Sequence, residues 1–598
     1  LPHIQEFPLR TSSLLVLFAL APAVWAGDAP APVGTQIANF TLPLAADGKL
    51  WVLADRTRDS KGTVVVFLAA GCPVSTAYVP RLSELYKKYS PKGITFVAVY
   101  SHPTDEPADI VKHGKDTALP FPAVRDADRA VARKFAVVRL PTVAFLDSTR
   151  TVRYAGRIDD QYSPNVARAK QGTSELASAL SAYVDGQEIR VPYAPAAGCL
   201  LPKPKSTAPA AGGEEITFHK QVERIMQARC QGCHRPGQAG PFSLLTYKSA
   251  KGWSDMIQEV VTNGTMPPWH ADAPLGHFKN DRRLSPDEKA MLLAWIERGC
   301  PEGNPADAPE PRPFVTGWRL PRTPELVLKM NKPITVPAQY LGGLIGMPYQ
   351  YVLAGDPFPE DTWIEGVEVR PEYRAVVHHI IAFILPPGQT LHDLARETNF
   401  GELMLGAYVP GDQPTVLPKG YAKKIPKGCR VLFEMHYTPN GKAGKDRSMV
   451  GVLVSKTPPK HEVSSIAVMN HRFNIPPGAA NYRVKSVQEF PEESVILSLT
   501  PHMHLRGKSF RFELVTPGPG GKETRQTLLN VPKYDFNWQV QYELAEPVTI
   551  PAGGRVECFA TYDNSTGNPF NPDPAKRVRW GNQTYEEMMI GFVEYYRK

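Results

Sequence analysis

The chain has 598 residues, 42% of them hydrophobic and 21% charged, which is the composition of an ordinary globular protein with room for about four domains at ~150 residues each. Its 60 prolines exclude an all-helical fold and point to turns, edge strands and linkers. The formal charge of +9 comes from 68 basic residues scattered against 59 acidic ones without a long Lys/Arg run, so it reads as solvated surface and no nucleic-acid partner is expected.

Arg10, the apolar stretch Leu14 to Ala21 and Val24-Trp25-Ala26 have the order of an export signal, expected over residues 1–26. No later segment reaches the ~18 to 20 uninterrupted apolar residues of a membrane span. The expectation is an exported protein, placed in a bacterial periplasm, with no membrane span after signal removal.

Residues 33–185 alternate strand-like and helix-like stretches. Val64 to Leu68 and Phe96 to Tyr100 are continuous apolar runs of buried strands, and Leu82, Leu85, Tyr86 and Tyr89 share one helix face between them, which makes a βαβ unit. Cys72-Pro73-Val74-Ser75 follows the first strand and opens the helix, where the helix dipole favours a thiolate. Leu140-Pro141-Thr142 precedes a further strand, as the cis-proline loop of thioredoxins does. The segment resembles the thioredoxin-like redoxins, which implies an α/β fold and a working thiol at Cys72. Ser75 stands where CxxC redoxins have their resolving cysteine, and the Pro-x-x-x-Thr/Ser-x-x-Cys pattern of peroxiredoxins is missing before Cys72. Three readings stay open: reaction through one thiol, a disulfide with Cys199, or a packing role for Cys72.

Residues 192–213 (PYAPAAGCLLPKPKSTAPAAGG) have linker composition, as does Pro301 to Pro313. The segment between them, 214–303, is helical in pattern, with Ser285-Pro286-Asp287-Glu288 as a capping box that opens its last helix. Within it, Cys230-Gln231-Gly232-Cys233-His234 lets two thiols form thioethers to haem vinyl groups while the next residue offers an imidazole to the iron. Half a zinc site or a disulfide is the alternative, and no second CxxC follows to support it. Seven cysteines in an exported chain would ordinarily suggest disulfides with one left over; this motif claims two of them. Met266, before the last helix, lies where small c-type cytochromes place their axial methionine, with His270 and His277 as competitors. The segment resembles a class I cytochrome c domain carrying one covalent haem c.

From about Phe314 the pattern becomes short alternating strands between Pro/Gly turns, and two consecutive all-β sandwich domains are expected, at 316–458 and 459–598. Here lie His378 and His379, His436, His502-Met503-His504 and Met588. Imidazole suits copper in either redox state and a thioether favours Cu(I). His502 and His504, two apart on a strand, face the same side, whereas the adjacent His378 and His379 need a bend or bulge to do so. His392, His461 and His471 read as surface or structurally satisfied residues.

In this order the motifs Val377-His378-His379, Glu434 to Thr438, His502 to Gly507 and Glu586-Glu587-Met588 resemble the copper type II, ascorbate-dependent monooxygenases, the group of peptidylglycine alpha-hydroxylating and dopamine beta-monooxygenases. The resemblance covers Thr316 to Tyr596. It implies two copper ions: His378, His379 and His436 would bind the electron-storing one, and His502, His504 and Met588 the oxygen-binding one. Dioxygen and a small organic substrate would be the partners, with ascorbate or another reductant, here a periplasmic electron donor acting through the haem. Met589 stands where the animal hydroxylases have a cysteine, which leaves Cys558 without that disulfide partner. Thr500 stands where the peptide-amidating enzymes hold the substrate carboxylate with arginine, so a glycine-extended peptide is not expected as substrate. The expected whole is an exported three-part monooxygenase. The rivals are a periplasmic thiol-disulfide oxidoreductase and an electron-transfer or copper-binding protein without oxygenase activity.

Overall fold

The computed structural model describes residues 33–598 apart from 165, 168–170, 204–214, 341–346, 391–400 and 412; the export signal, the later part of the 192–213 linker and His392 lie outside the described residues. The first sheet is built around Gly62–Leu68, every residue of which is buried. It pairs in parallel with Ile94–Tyr100 and antiparallel with Thr142–Asp147. Helix Pro73–Tyr89 crosses between the parallel strands with Leu82, Leu85 and Tyr89 buried, so the expected βαβ unit is present. Continuous apolar runs fit strands covered on both faces. The six-stranded order is Tyr193–Ala194, Val152–Gly156, Thr142–Asp147, Gly62–Leu68, Ile94–Tyr100 and Ala123–Arg125.

The outermost strand departs from the sequence reading, because Tyr193–Ala194 and Cys199–Leu200 fall in the stretch read as linker. The first lies parallel to Val152–Gly156, and the second lies antiparallel to Arg139–Leu140. At Gly156, with φ +129°, a Cβ would sit 1.7 Å from the Ala194 carbonyl oxygen, so the added strand requires glycine there. Proline and alanine content signalled a linker; two-residue strands carry no periodic signature of their own.

The helical segment closes on the last helix, Pro286–Glu297, whose capping box forms as expected: Ser285 Oγ accepts from the Glu288 N–H at 3.1 Å, and Glu288 Oε2 accepts from the Ser285 N–H at 2.7 Å. Phe218, Val222, Met226, Trp253 and Trp295 belong to the same apolar cluster as the redoxin core. Burying side chains of this size contributes roughly 1.5–3 kcal/mol each, so the two parts are welded rather than strung together.

In the C-terminal part, one nine-stranded sheet runs from Leu326–Lys329 to Tyr542–Ile550. Its two stretches meet where Tyr421–Ile425 pairs in parallel with His461–Met469. Each stretch packs against its own four-stranded sheet. Gln350–Ala354, Arg430–Tyr437, Val377–Leu385 and Met404–Tyr408 form one; Tyr482–Phe490, Gly554–Tyr562, Gly507–Pro517 and Glu523–Val531 form the other. Ile364, Val367 and Val450 meet Ile380 and Phe433 in one core, and Ile496, Leu499 and Val593 meet Phe510, Phe512 and Val556 in the next. The loop after Met266 joins this second core through Trp269, Ala271 and Phe278. Among the described residues no helix is long and apolar enough to cross a membrane.

Candidate redox and metal sites

The strand Val377–Leu385 pairs with Arg430–Tyr437 so that Val377 faces Tyr437 and His379 faces His436, and the register slips by one residue between them. That bulge holds His378, the residue whose side chain a regular strand would send to the opposite face. The Nδ1 atoms of His378 and His379 come within 3.0 Å, and those of His436 and His378 within 3.2 Å. One ligand atom from each of the three imidazoles lies within 4.8 Å of the others. Burial drives all three toward the neutral form, His378 to about 4 and His379 and His436 well below the ordinary histidine value. Neutral imidazole is the form that ligates, and His378 Nε2 and His379 Nε2 are buried without a hydrogen-bond partner. Three converging neutral imidazoles fit copper or zinc.

Two rings wall this cluster. Phe536 stacks on His378 at 4.9 Å, and Tyr349 presents its edge to His436 at 4.8 Å and to His379 at 5.6 Å. Both also reach His504, at 6.1 and 6.4 Å, so one aromatic layer separates the two histidine groups.

His502 closes the strand Ser494–His502, and the rings of His502 and His504 lie 5.3 Å apart at 86°. Each is oriented by a neighbour. His502 Nδ1 lies 2.5 Å from Gln539 Oε1, and His504 Nδ1 lies 3.3 Å from the Glu586 carbonyl oxygen. With Nδ1–H donated, Nε2 carries the lone pair, which is how ligating histidines are commonly held. His504 Nε2 is buried and has no partner. Ile590–Arg597 pairs antiparallel with the His502 strand, with His502 opposite Ile590, and Met588 lies two residues before that strand's first residue. Its backbone is fixed by the Tyr562 hydroxyl, which donates to the Met588 carbonyl at 2.8 Å. The Met588 side chain is buried beside Ala467, Ile590 and Phe592. Cys558 is buried and outside any disulfide, in keeping with Met589 in place of a partner cysteine.

A cavity of about 60 Å³ borders both groups, lined by His379, His502, Thr500, Lys423, Gln541 and Phe592 among others. Sequence reasoning missed Lys423. It is a buried cation whose Nζ donates to the Met404 carbonyl at 2.9 Å and to Ser465 Oγ at 2.8 Å, with Glu594 at 3.8 Å. A lone lysine in an alternating strand gives no sign that it points inward.

In the helical segment the N–H groups of Cys233 and His234 donate to the Cys230 carbonyl at 3.1 and 2.9 Å, winding the CxxCH motif into a turn. His234 Nδ1 lies 3.2 Å from the Phe242 carbonyl oxygen, which leaves Nε2 to face an iron. The Cys230 thiol is pushed up to about 12, chiefly by burial. A paired donor set on one turn, with the histidine tautomer fixed, fits covalent haem. Met266, half-buried, follows helix Ser254–Thr262, its N–H bound to the Val260 carbonyl at 3.0 Å. Of its competitors, His277 is exposed and its carbonyl accepts from Ala545, whereas His270 Nε2 is buried without a partner.

Cys72 caps helix Pro73–Tyr89 and is disulfide-bonded to Cys199, so the pairing left open by the sequence is the one the structure contains. Ser75, in place of a resolving cysteine, accepts the Ala69 N–H at 3.3 Å. Next to Cys72, the position of a Cβ on Gly71 lies 2.8 Å from the Trp253 ring. Trp253 stacks on Phe242 at 4.0 Å and on His102 at 4.1 Å, and Phe242 lies 4.7 Å from His234. The redoxin loop and the haem motif therefore share one aromatic stack.

Residues 33–155 match the AhpC/TSA family, and residues 218–276 match the family of cytochrome c oxidase, cbb3-type, subunit III. The chain is similar to the thiol-disulfide oxidoreductase ResA of Bacillus subtilis (strain 168), 28% identical over 144 residues, which is 23% of this chain and 78% of that protein. It is similar also to ResA of Bacillus cereus (strain ATCC 10987 / NRS 248), 27% identical over 143 residues, or 23% and 80% of the two chains. Among solved structures it resembles the hypothetical protein SMc02350 of Sinorhizobium meliloti 1021, at 26% identity and TM-score 0.26, covering 29% of this chain and 96% of that one. An uncharacterized conserved protein of Geobacillus kaustophilus matches at 28% identity and TM-score 0.27, covering 30% and 96%. The chain thus joins a thioredoxin-like redoxin domain and a c-type cytochrome domain, which implies haem c, to a large β-rich C-terminal part. Those two domains point to redox chemistry and electron transfer.

Proposed function

We propose that the β-rich part is a two-copper monooxygenase that hydroxylates a C–H bond of a small organic substrate with dioxygen, supplied with electrons through the fused haem. The observation that carries this reading is the pair of histidine groups about one aromatic layer apart, His378, His379 and His436 on one side and His502 and His504 on the other. Copper bound there supplies dioxygen activation and one-electron storage. His378, His379 and His436 would hold one ion, and His502, His504 and Met588 the other.

The chain's own residues do the rest. Gln539 and the Glu586 carbonyl hold the two imidazoles in one tautomer. Phe536 and Tyr349 keep water from the space between the groups. The cavity beside His379 and His502 receives the substrate, and Lys423, Gln541 and Glu594 give it a polar end that Thr500 alone would not. For electron delivery, the loop from Met266 lies on the β part. Lys279 N–H donates to the Glu543 carbonyl at 2.8 Å, Asn280 Nδ2 to the Gln541 carbonyl at 2.6 Å, and Trp269 packs on Tyr542 at 4.9 Å. On the other side of the haem motif, a Cβ on Gly411 would stand 3.4 Å from Cys233 Sγ. In this reading Met266 would hold the haem iron together with His234, with His270 the alternative. An exported, periplasmic setting suits covalent haem attachment.

The test is substrate-dependent oxygen uptake by haem- and copper-loaded protein over a panel of small organic substrates. Uptake that is lost in Met588→Ala while the three-histidine site stays filled supports the reading. No substrate-dependent uptake with both coppers bound rejects it.

The second reading, a thiol-disulfide oxidoreductase, is favoured by the named relatives and by the Cys72–Cys199 disulfide. It expects Cys72→Ser to abolish activity while the histidines are dispensable.

A further inference from the structure

The cavity between the two sandwiches has a direction. Ser498, Thr500 and His502 lie two apart on one strand and share a face, and the paired strand sets Glu594 opposite Ser498, Phe592 opposite Thr500 and Ile590 opposite His502. Leu499 and Val593, which alternate with them, belong to the sandwich core on the other side. The Glu594 row and the His502 row are four residues apart, about 13 Å at ~3.3 Å per residue. One end of the cavity is therefore imidazole, Thr500 and Phe592 border its middle, and Lys423 and Glu594 form its far end. The space is narrow, about 60 Å³, which suits a slim chain and excludes a branched or fused-ring body.

The far end holds one ion of each sign. Lys423 is 8% exposed, and its ammonium has three hydrogens to donate. Two go to the Met404 carbonyl at 2.9 Å and to Ser465 Oγ at 2.8 Å. Glu594 Oε1 stands 3.8 Å away, beyond hydrogen-bond reach, while Oε2 accepts from Ser498 Oγ at 3.2 Å. Among the described residues the third hydrogen has no acceptor, and a buried charged donor left short of one is costly until an acceptor fills the place. The two charges cancel. A carboxylate entering here would face Glu594 and an ammonium would face Lys423, each as an uncompensated buried charge, whereas a neutral oxygen meets neither penalty.

We propose that this cavity takes a slim, uncharged organic molecule with an alcohol or carbonyl oxygen at one end, which accepts the third hydrogen of Lys423, and an apolar chain that lies past Thr500 and Phe592 toward His502. The proposal names the substrate class of the monooxygenase reading and rests on that reading for its chemistry; the binding itself needs neither copper nor oxygen. Lys423 then determines specificity by charge, and the end of the chain remote from its oxygen is the end presented to His502. A lysine that only stapled Met404 to Ser465 would not sort ligands in this way.

The experiment measures equilibrium binding of 1-hexanol, hexanoate and hexylammonium, three probes of equal chain length, to full-length, haem-loaded protein without oxygen and near neutral pH. The parent is expected to bind 1-hexanol at least about tenfold more tightly than either ion. Glu594→Gln is expected to keep 1-hexanol and to admit hexanoate, because Lys423 then lacks its counter-charge. Lys423→Met is expected to lose at least about tenfold in 1-hexanol affinity, the scale of a hydrogen bond from a charged donor. The parent's preference is read without any substitution, so the test survives a variant that does not fold. Either ion bound by the parent as tightly as 1-hexanol, no binding of 1-hexanol, a folded Glu594→Gln that still excludes hexanoate, or a folded Lys423→Met with parental 1-hexanol affinity overturns the proposal. The expected preference without any substrate-dependent oxygen uptake upholds the assigned occupant and rejects the monooxygenase reading alone.

Discussion

The backbone N–H of His504 donates to the Glu587 carboxylate at 2.9 Å, and that carboxylate also accepts the Arg506 N–H at 2.6 Å. Glu587 is fully buried and directly precedes Met588, so one side chain fastens the thioether strand to the histidine pair. Glu587→Ala leaves two buried N–H groups unpaired, each worth about 1–3 kcal/mol. The expected outcome is a drop in copper content from two ions per chain to one, measured by elemental analysis, with the three-histidine ion retained.

Gln539 acts on the same site from the other side, by fixing which nitrogen of His502 carries the proton. Gln539→Leu keeps the volume and removes the acceptor. Loss of such an outer partner typically weakens metal binding about 10- to 100-fold. Cu(I) titration against a competing chelator is expected to show that loss at one site and none at the other.

In the redoxin, burial lifts the Asp105 carboxyl from its ordinary value to about 7, against the opposing pull of the Ala70 N–H at 3.1 Å. The folded state therefore holds this proton more tightly than the unfolded chain. Its contribution to stability is complete below about pH 4, shrinks as pH rises, and is gone above about pH 7. Asp105→Asn is expected to remove that slope and to gain up to roughly 4 kcal/mol over the parent at pH 8, with no such gain at pH 4. Denaturation curves of the two proteins across this range check it.

The docked loop gives a further prediction. Trp269 is buried against Tyr542, and removing a side chain of this kind costs about 3–5 kcal/mol. Trp269→Ala is expected to retain its haem, because Cys230, Cys233 and His234 lie elsewhere, yet to slow reoxidation of reduced haem by the copper-loaded part. Stopped-flow absorbance of the haem reads this directly.

How much of this was legible beforehand follows from what each feature leaves in the sequence. CxxCH is a contiguous motif because one turn must carry both thiols and the imidazole, and the capping box at Ser285 is equally local. The bulge at His378 was deducible from two adjacent ligands on a strand with period two. The Cys199 partner was only one possibility among several, since nothing in a 127-residue separation encodes proximity. The continuous sheet through Tyr421 and His461, the inward Lys423 and the docking of Trp269 to Asn280 were not legible, because they depend on how distant strands pair. The aromatic stack from Gly71 through Trp253 to His234 joins two separately recognisable segments, and neither segment alone shows it.

X-ray absorption at the copper edge of the Cu(I)-loaded protein asks most directly whether Met588 and the five imidazoles hold two metal ions. The account expects two ions per chain, with imidazole scattering at both and one sulfur at the second, and loss of that sulfur in Met588→Ala. Spectra with nitrogen ligands alone, unchanged by that substitution, would contradict it.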